Sequence, residues 1–264
     1  MIAGVPDYRV LLEGPLRSRY CVVIPVINEG NRIKALLERM VALGIPAQLD
    51  IIIVDGGSTD GSLDDALLDR CGVNTLLVKT GRGKLSAQLR CGYHFALERG
   101  YAGVVTIDGN NKDDPDTMQD FVAALESGYD FVQGSRFVPG GIAENTPLLR
   151  WAAIRLLHAP LLSLASGFHW TDTTQGYRAY SRALLSDPRV AIFRDVFDSY
   201  ELLAYLSYRA PRLGYRCIEL PTTRRYPPGE KTPTKISPIA GNLKLMATLV
   251  KACLGSFNPG SDRH

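Results

Sequence analysis

The regular alternation of short β-prone apolar runs with amphipathic segments is what most restricts the fold of this chain. Apolar runs lie at residues 20–25, 49–54, 75–79, 104–107 and 131–133. Between them lie segments of helical apolar spacing. One opens at Asn28-Glu29-Gly30-Asn31 and runs to about Leu43, a short one ends near Cys71, and two more cover 84–99 and 115–127. Continuous apolar runs suit strands buried on both faces, and strand–helix repetition predicts parallel strands joined by crossovers. The predicted fold class is α/β, a mostly parallel sheet flanked by helices. Parallel strands all end on the same edge. Asn28 and Glu29, Asp55, Asp108, then Ser135 and Arg136 should therefore meet there, where open α/β sheets take their ligands.

The sharpest of these strand ends is the stretch Val104 to Asp116. Its apolar run stops at Asp108, a polar loop follows, and Pro115 starts a helix with Asp114 as its expected cap. A hard cation shared with substrate phosphate needs only one or two protein carboxylates among its oxygen ligands. Asp108 and Asn110 could supply two oxygens. The same residues would also make an ordinary acidic strand-to-helix loop.

Around this core, residues 1–19 have no clear period and are expected to form an irregular arm. After Arg136 come a long Gly/Pro loop over 138–147, expected to be mobile, a helix over 147–166 and a polar turn over 171–177. A helix over 200–208, a strand over 215–220 and a basic, proline-broken loop over 224–237 follow. Ile239, Leu243, Met246, Ala247, Val250 and Leu254 form one stripe of a terminal helix, expected to pack against the body. The expected division is 1–19 arm, 20–237 domain (halves 20–136 and 137–237), and 238–264 terminal helix and tail.

Composition removes several classes. A net charge of +3 in 264 residues gives no argument for nucleic acid. The basic excess is local: nine Lys and Arg lie between Arg209 and Lys251, opposed only by Glu219 and Glu230, suiting phosphate groups or an anionic membrane surface. Five cysteines without C-x-x-C spacing argue against zinc and a disulfide framework, and for a reducing cytosol. The apolar segment 147–168 carries Arg150, Arg155, His158 and Pro160, from which no membrane span is expected. Gly81-Arg82-Gly83-Lys84 lacks the earlier glycine of a phosphate-binding Walker loop.

Seven segments in order, PVINEGNRI from Pro25, VDGGSTDGS from Val54, GKLSAQLRCGY from Gly83, IDGNNKDDPD from Ile107, GSRFVPGG from Gly134, TDTTQGYRAY from Thr171 and YELLAYLSYRAPRLGYRCIELP from Tyr200, together resemble a family 2 glycosyltransferase. Within that family they are most similar to the dolichol- and polyprenyl-phosphate hexosyltransferase branch. The resemblance implies a single Rossmann-like GT-A domain. It implies that Pro25, Asn28, Glu29, Asp55 and Lys84 hold the nucleotide part of a nucleotide-sugar donor. Asp108, with Asn110, would hold Mg²⁺ or Mn²⁺ on the diphosphate. Arg136, Arg150, Arg155, Arg225 and Lys235 would meet an acceptor phosphate, and Gln175 the sugar and acceptor side. Asp172, Asp198 and Glu201 are the catalytic carboxylates it suggests.

Inverting transfer needs an acceptor oxygen attacking the anomeric carbon while a nucleoside diphosphate leaves, and the charge growing on that diphosphate must be neutralised. A saccharide hydroxyl acceptor needs a base such as Asp172, Asp198 or Glu201. A lipid phosphate is already ionised and needs arginines instead. Both sets are present. A further alternative is a non-catalytic nucleotide-sugar binder. Two departures from the family stand out. Asn110 replaces the usual second acid of the cation motif and Lys112 a later glutamine: either the cation is weakly bound and Lys112, in the donor-binding set, partly takes its place on the diphosphate, or Lys112 points to solvent and Asp108, Asn110, water and substrate hold the ion normally. The aspartate pair after the second strand is reduced to Asp55-Gly56. Together these features predict a cytoplasmic enzyme, peripheral to the inner face of the membrane.

Overall fold

A computed structural model describes residues 3–226 and 240–260. Its centre is an eight-stranded sheet of β1 (Tyr8–Glu13), β2 (Tyr20–Val26), β3 (Asp50–Asp55), β4 (Val73–Lys79), β5 (Gly103–Thr106), β6 (Phe131–Ser135), β8 (Arg178–Ser181) and β9 (Cys217–Pro221), in the order β1-β4-β3-β2-β5-β8-β6-β9. A two-stranded parallel ribbon joins β7 (Ile142–Glu144) to β10 (Thr223–Arg225). The helices are α1 (Asn31–Ala42), α2 (Asp65–Arg70), α3 (Leu85–Arg99), α4 (Met118–Glu126), α5 (Leu148–Ala153), α6 (Ala159–Ser166), α7 (Arg182–Ser186), α8 (Glu201–Arg212) and α9 (Ala240–Cys253).

The parallel half, β4-β3-β2-β5, follows the predicted alternation. Every residue of β2 and β3 is buried. Successive residues supply opposite cores: Ile51 and Ile53 pack with α1 and α2 residues, Ile52 and Val54 with α3 residues.

Five expectations give way. Residues 8–13 are not irregular but form β1, antiparallel to β4 at the sheet edge. Their side chains are mostly exposed, so burial leaves no period, and backbone pairing alone makes the strand. Strand β8 enters antiparallel between β5 and β6. It is only four residues long and carries a buried arginine, which masks it in the sequence. Residues 142–144 of the expected mobile loop form β7. Asp114 stands at the N-cap position before Pro115, but its carboxylate pairs with Arg39 and Arg225 instead of capping. Finally, α9 docks on α6 and α8 through Met246, Leu249, Ala252 and Cys253, while Leu243, Val250 and Leu254 of the predicted stripe are exposed.

Helix α5 runs through a π-turn at Ile154–His158 into α6. This Leu148–Ser166 run is, among the described residues, the one helix long and apolar enough to cross a membrane, by length and composition only. Only 17% of its most apolar stretch is buried.

Candidate active site

The carboxyl ends of β2, β3 and β5 form one edge, as predicted. At the β2 end, Asn28 takes a left-handed backbone conformation (φ 49°). Its amide donates to Ser58 Oγ at 2.9 Å, and its side-chain oxygen accepts from the Thr59 amide at 2.8 Å. Asp55, nearly buried, accepts from the Ser58 amide (2.9 Å) and hydroxyl (2.6 Å). Glu29 pairs with Arg32 at 2.9 Å. Gln88 of α3 donates from one amide nitrogen to Val26 O and Val54 O, both at 2.9 Å, which ties the two strand ends together. Pro25 is buried within β2 beneath Gly109. The Lys84 side chain is exposed, and its backbone amide donates to Asp198 O at 2.9 Å.

The loop after β5 is stitched to β10. Arg225 N donates to Lys112 O at 2.8 Å, Asp114 N to Thr223 O at 3.0 Å, and Asp113 bridges Arg224 across the ribbon. Residues 224 and 226 face inward, and 225 faces out. Arg224 donates to Asp113 and lies 3.6 Å from Asp108 Oδ2. Arg225 instead pairs at the surface with Asp114 and Glu144. Strand parity therefore turns Arg225 outward, away from the interior where the acceptor role was expected of it, and turns its neighbour Arg224 inward. Lys235 lies outside the described residues.

Asp108 keeps 22% of its side chain exposed. Lys112 is only 5% exposed and its ammonium lies 5.4 Å from the Tyr226 ring centre. Burial first, then Arg224, lowers the Lys112 pKa to about 8. Arg150 Nη1 donates to the Tyr226 hydroxyl at 3.1 Å and Arg136 Nη1 at 3.4 Å. Burial would raise the Tyr226 pKa, but Arg224, Arg136 and Arg150 outweigh it and bring the phenol to about 7. One tyrosine should thus ionise near neutrality, and Tyr226→Phe should abolish that step in a tyrosinate absorbance titration. All tyrosines ionising only in the alkaline range would refute it. The sign for stability follows: the depressed phenol contributes fully above the unfolded value near 10, and the contribution is lost as pH falls to about 7.

Of the suggested catalytic carboxylates, Asp172 is fully buried and accepts from Arg136 Nε (2.7 Å) and Nη2 (3.1 Å). Burial would raise its pKa, yet the Arg136 ion pair outweighs this and holds it below the usual aspartate range. In this arrangement it is Arg136's partner, not an open base. Gln175 is also fully buried, its Oε1 accepting from Thr222 at 3.0 Å. The 171–177 turn therefore buttresses the site from behind. It is pinned by Glu219, whose carboxylate accepts the Thr171 and Asp172 amides, and by Arg178, which donates to the Thr173 and Gln175 carbonyls. Glu201 is mostly buried and accepts from the Ser199 amide. Asp198 is exposed beside Gly83. Arg155 is exposed, over the Phe137 ring at 5.5 Å.

Four residues central to this geometry were not singled out by sequence. Arg224 was counted only in a basic segment, and Asp113 only in an acidic one. Tyr226 carried no signal beyond its spacing of two from Arg224. Gly176 packs against Asp108: a Cβ there would lie 2.3 Å from Asp108 Oδ1.

The donor set was compared with what a divalent cation needs. Asn110 Oδ1 accepts the Lys112 amide at 3.2 Å, and Asn110 Nδ2 points at Asp108 Oδ2 at 3.4 Å. With Arg224 on the same carboxylate, Asp108 is the one anionic ligand offered. Among the described residues no group of three or more His, Cys, Asp or Glu could hold a metal ion. With Asp108 shared with Arg224 and the Asn110 oxygen taken by the Lys112 amide, these residues do not fit a firmly held ion.

Comparison with known proteins identifies the family and the fold. The model of glycosyl transferase family 2 matches residues 21–188. Polyprenol monophosphomannose synthase of Mycolicibacterium smegmatis is 32% identical over 78% of this chain and 77% of its own length. Undecaprenyl-phosphate mannosyltransferase of Micrococcus luteus is 32% identical over 78% and 83%. Among solved structures, glucosyl-3-phosphoglycerate synthase from Mycobacterium tuberculosis with Mn²⁺, UDP-glucose and phosphoglyceric acid superposes with a TM-score of 0.59. It covers 89% of this chain and 79% of that one at 20% identity, a likeness of fold. With the family model covering the parallel half of the sheet and the strand-end cleft, the chain belongs to glycosyl transferase family 2 and is a glycosyltransferase of the GT-A fold.

Proposed function

We propose that this enzyme moves a hexose from a nucleotide-sugar donor to a polyprenyl-type lipid phosphate, with inversion, in the assembly of a cell-surface glycan. The observation that carries the reading is the pair of cations Arg150 and Arg136 on the Tyr226 hydroxyl, on the flank of an exposed apolar helix. A phosphate head group fits the first and its prenyl chain the second. Leu148, Leu149, Leu156 and Leu164 of that helix are each more than 70% exposed. The named relatives act on polyprenol and undecaprenyl phosphates, which supports the same acceptor class here.

In this reading residues 20–136 hold the donor. Asn28, Glu29, Asp55 and Lys84 surround the nucleoside, and Asp108 faces the sugar diphosphate. Residues 137–237 take the acceptor, through Arg150 with Arg136 and Tyr226 behind it, and Arg155 at the rim. An acceptor phosphate oxygen attacks the anomeric carbon from the face opposite the leaving group. The new carbon–oxygen bond forms as the bond to the diphosphate breaks, and its electron pair leaves with the nucleoside diphosphate. The phosphate is already ionised, so no base is required. Mn²⁺ accompanies UDP-glucose in the solved glucosyl-3-phosphoglycerate synthase; here Asp108 and Asn110 would hold such an ion only weakly. The protein would work at the inner face of the membrane, attached peripherally through the Leu148–Ser166 face; free cysteines suit a reducing cytoplasm.

The test offers a panel of radiolabelled nucleotide sugars with a short polyprenyl phosphate or a simple saccharide. Label in the organic-extractable lipid is the expected result. Label only on the saccharide, abolished by Asp198→Asn, would replace the reading with hydroxyl transfer, which the exposure of Asp198 makes the specific rival. Donor binding with neither transfer nor hydrolysis would mean a non-catalytic binder.

A further inference from the structure

We propose that Lys112 and Arg224 together stand in for the divalent cation on the leaving diphosphate, so that donor binding and transfer require no added metal ion. The inference rests on the transferase reading above.

The local charges already balance. Asp108 and Asp113 are matched by Lys112 and Arg224, and three of these four are at most 5% exposed. Asp113 is bound by Arg224, whose other nitrogen reaches toward Asp108. An incoming diphosphate would thus meet Lys112 and Arg224 directly, with Arg150 as a further cation nearby and Arg136 already neutralised by Asp172. The two candidate ligands of a divalent ion are compromised. Asn110 presents an N–H, not an oxygen, toward Asp108, and its oxygen takes the Lys112 amide. The carboxylate itself shares its Oδ2 with Arg224.

The two cations are well placed for the ion's work. Both belong to the Asp108 loop and the β10 strand hydrogen-bonded to it, so their positions are set by backbone pairing before any ligand arrives. As the anomeric bond breaks, negative charge accumulates on the departing diphosphate, and fixed donors neutralise it without reorganising.

The test is calorimetric titration of UDP and of GDP into the full chain in excess EDTA, then with Mg²⁺ and with Mn²⁺, followed by transfer assays under the same conditions. One nucleotide is expected to bind with an affinity that chelator does not change, with turnover preserved. Lys112→Gln, which removes a buried charge and leaves a chain of similar shape, should weaken that nucleotide in EDTA about tenfold or more, the worth of one charge-assisted contact. Asn110→Asp with Lys112→Gln should restore binding only when Mn²⁺ or Mg²⁺ is present. Diphosphate binding by the unaltered chain that requires an ion overturns this inference and leaves the transferase reading standing. So does a Lys112→Gln protein that binds in EDTA as tightly as the parent. Failure of every nucleotide and nucleotide sugar to bind under any condition overturns both.

Discussion

Replacing Asp172 with alanine should lower the free energy of unfolding by about 3–5 kcal/mol, the usual loss when one partner of a buried ion pair is removed. Arg136 would be left charged and 2% exposed, with only Tyr226 and Thr174 as polar neighbours. A chemical denaturation curve reads this directly as a lower midpoint. Arg136→Met with Asp172→Leu should recover most of the loss, because a well-packed apolar pair avoids the desolvation that the ion pair only offsets. The deficit of the alanine variant should also shrink in acid. The native carboxyl is held below its ordinary range, so its contribution is present above the unfolded value near 3.9 and is lost as pH falls below it. An alanine variant of full stability and no turnover would instead make Asp172 a working base.

The second large effect is expected from the smallest change. Gly176→Ala should lower kcat/KM about a hundredfold, the scale associated with misplacing a reacting group by about 1 Å. The added methyl carbon would sit 2.3 Å from Asp108 Oδ1 and 2.9 Å from its carboxyl carbon, so the Asp108 side chain must swing away. Gly176 has no left-handed backbone angle, which leaves the fold without a reason to fail. Its thermal midpoint should stay close to that of the parent while turnover collapses. Equal losses in both would point to general damage, and unchanged turnover would show that Asp108 does not need its present position.

Much of this was legible beforehand for a simple reason. Apolar runs such as residues 49–54 and 104–107 are buried on both faces, and burial is what composition records. Asp55 and Asp108 were found because they end such runs, and parallel strands bring their ends together. The edge strand β1 was not found, because exposed side chains leave no period. Strand β8 was hidden by its length and by Arg178, whose buried charge is satisfied by the backbone carbonyls of Thr173, Gln175 and Leu203. Lys112 stood out as a departure from its family, but its meaning depended on what lay across the loop.

The amino-acid sequence by itself determined the fold class, the family and the strand-end edge, since each follows from local pattern or from motifs held in order. Which charges act in the site was decided only by tertiary structure. The choice between Arg224 and Arg225 turns on which face of a three-residue strand points inward. Asp172 became a buried partner because Arg136 lies across from it. Gly176 matters because the Asp108 carboxylate, from the loop after β5, occupies the space a side chain would need. Such pairings join residues 36 to 116 positions apart, and no local window of sequence contains both members.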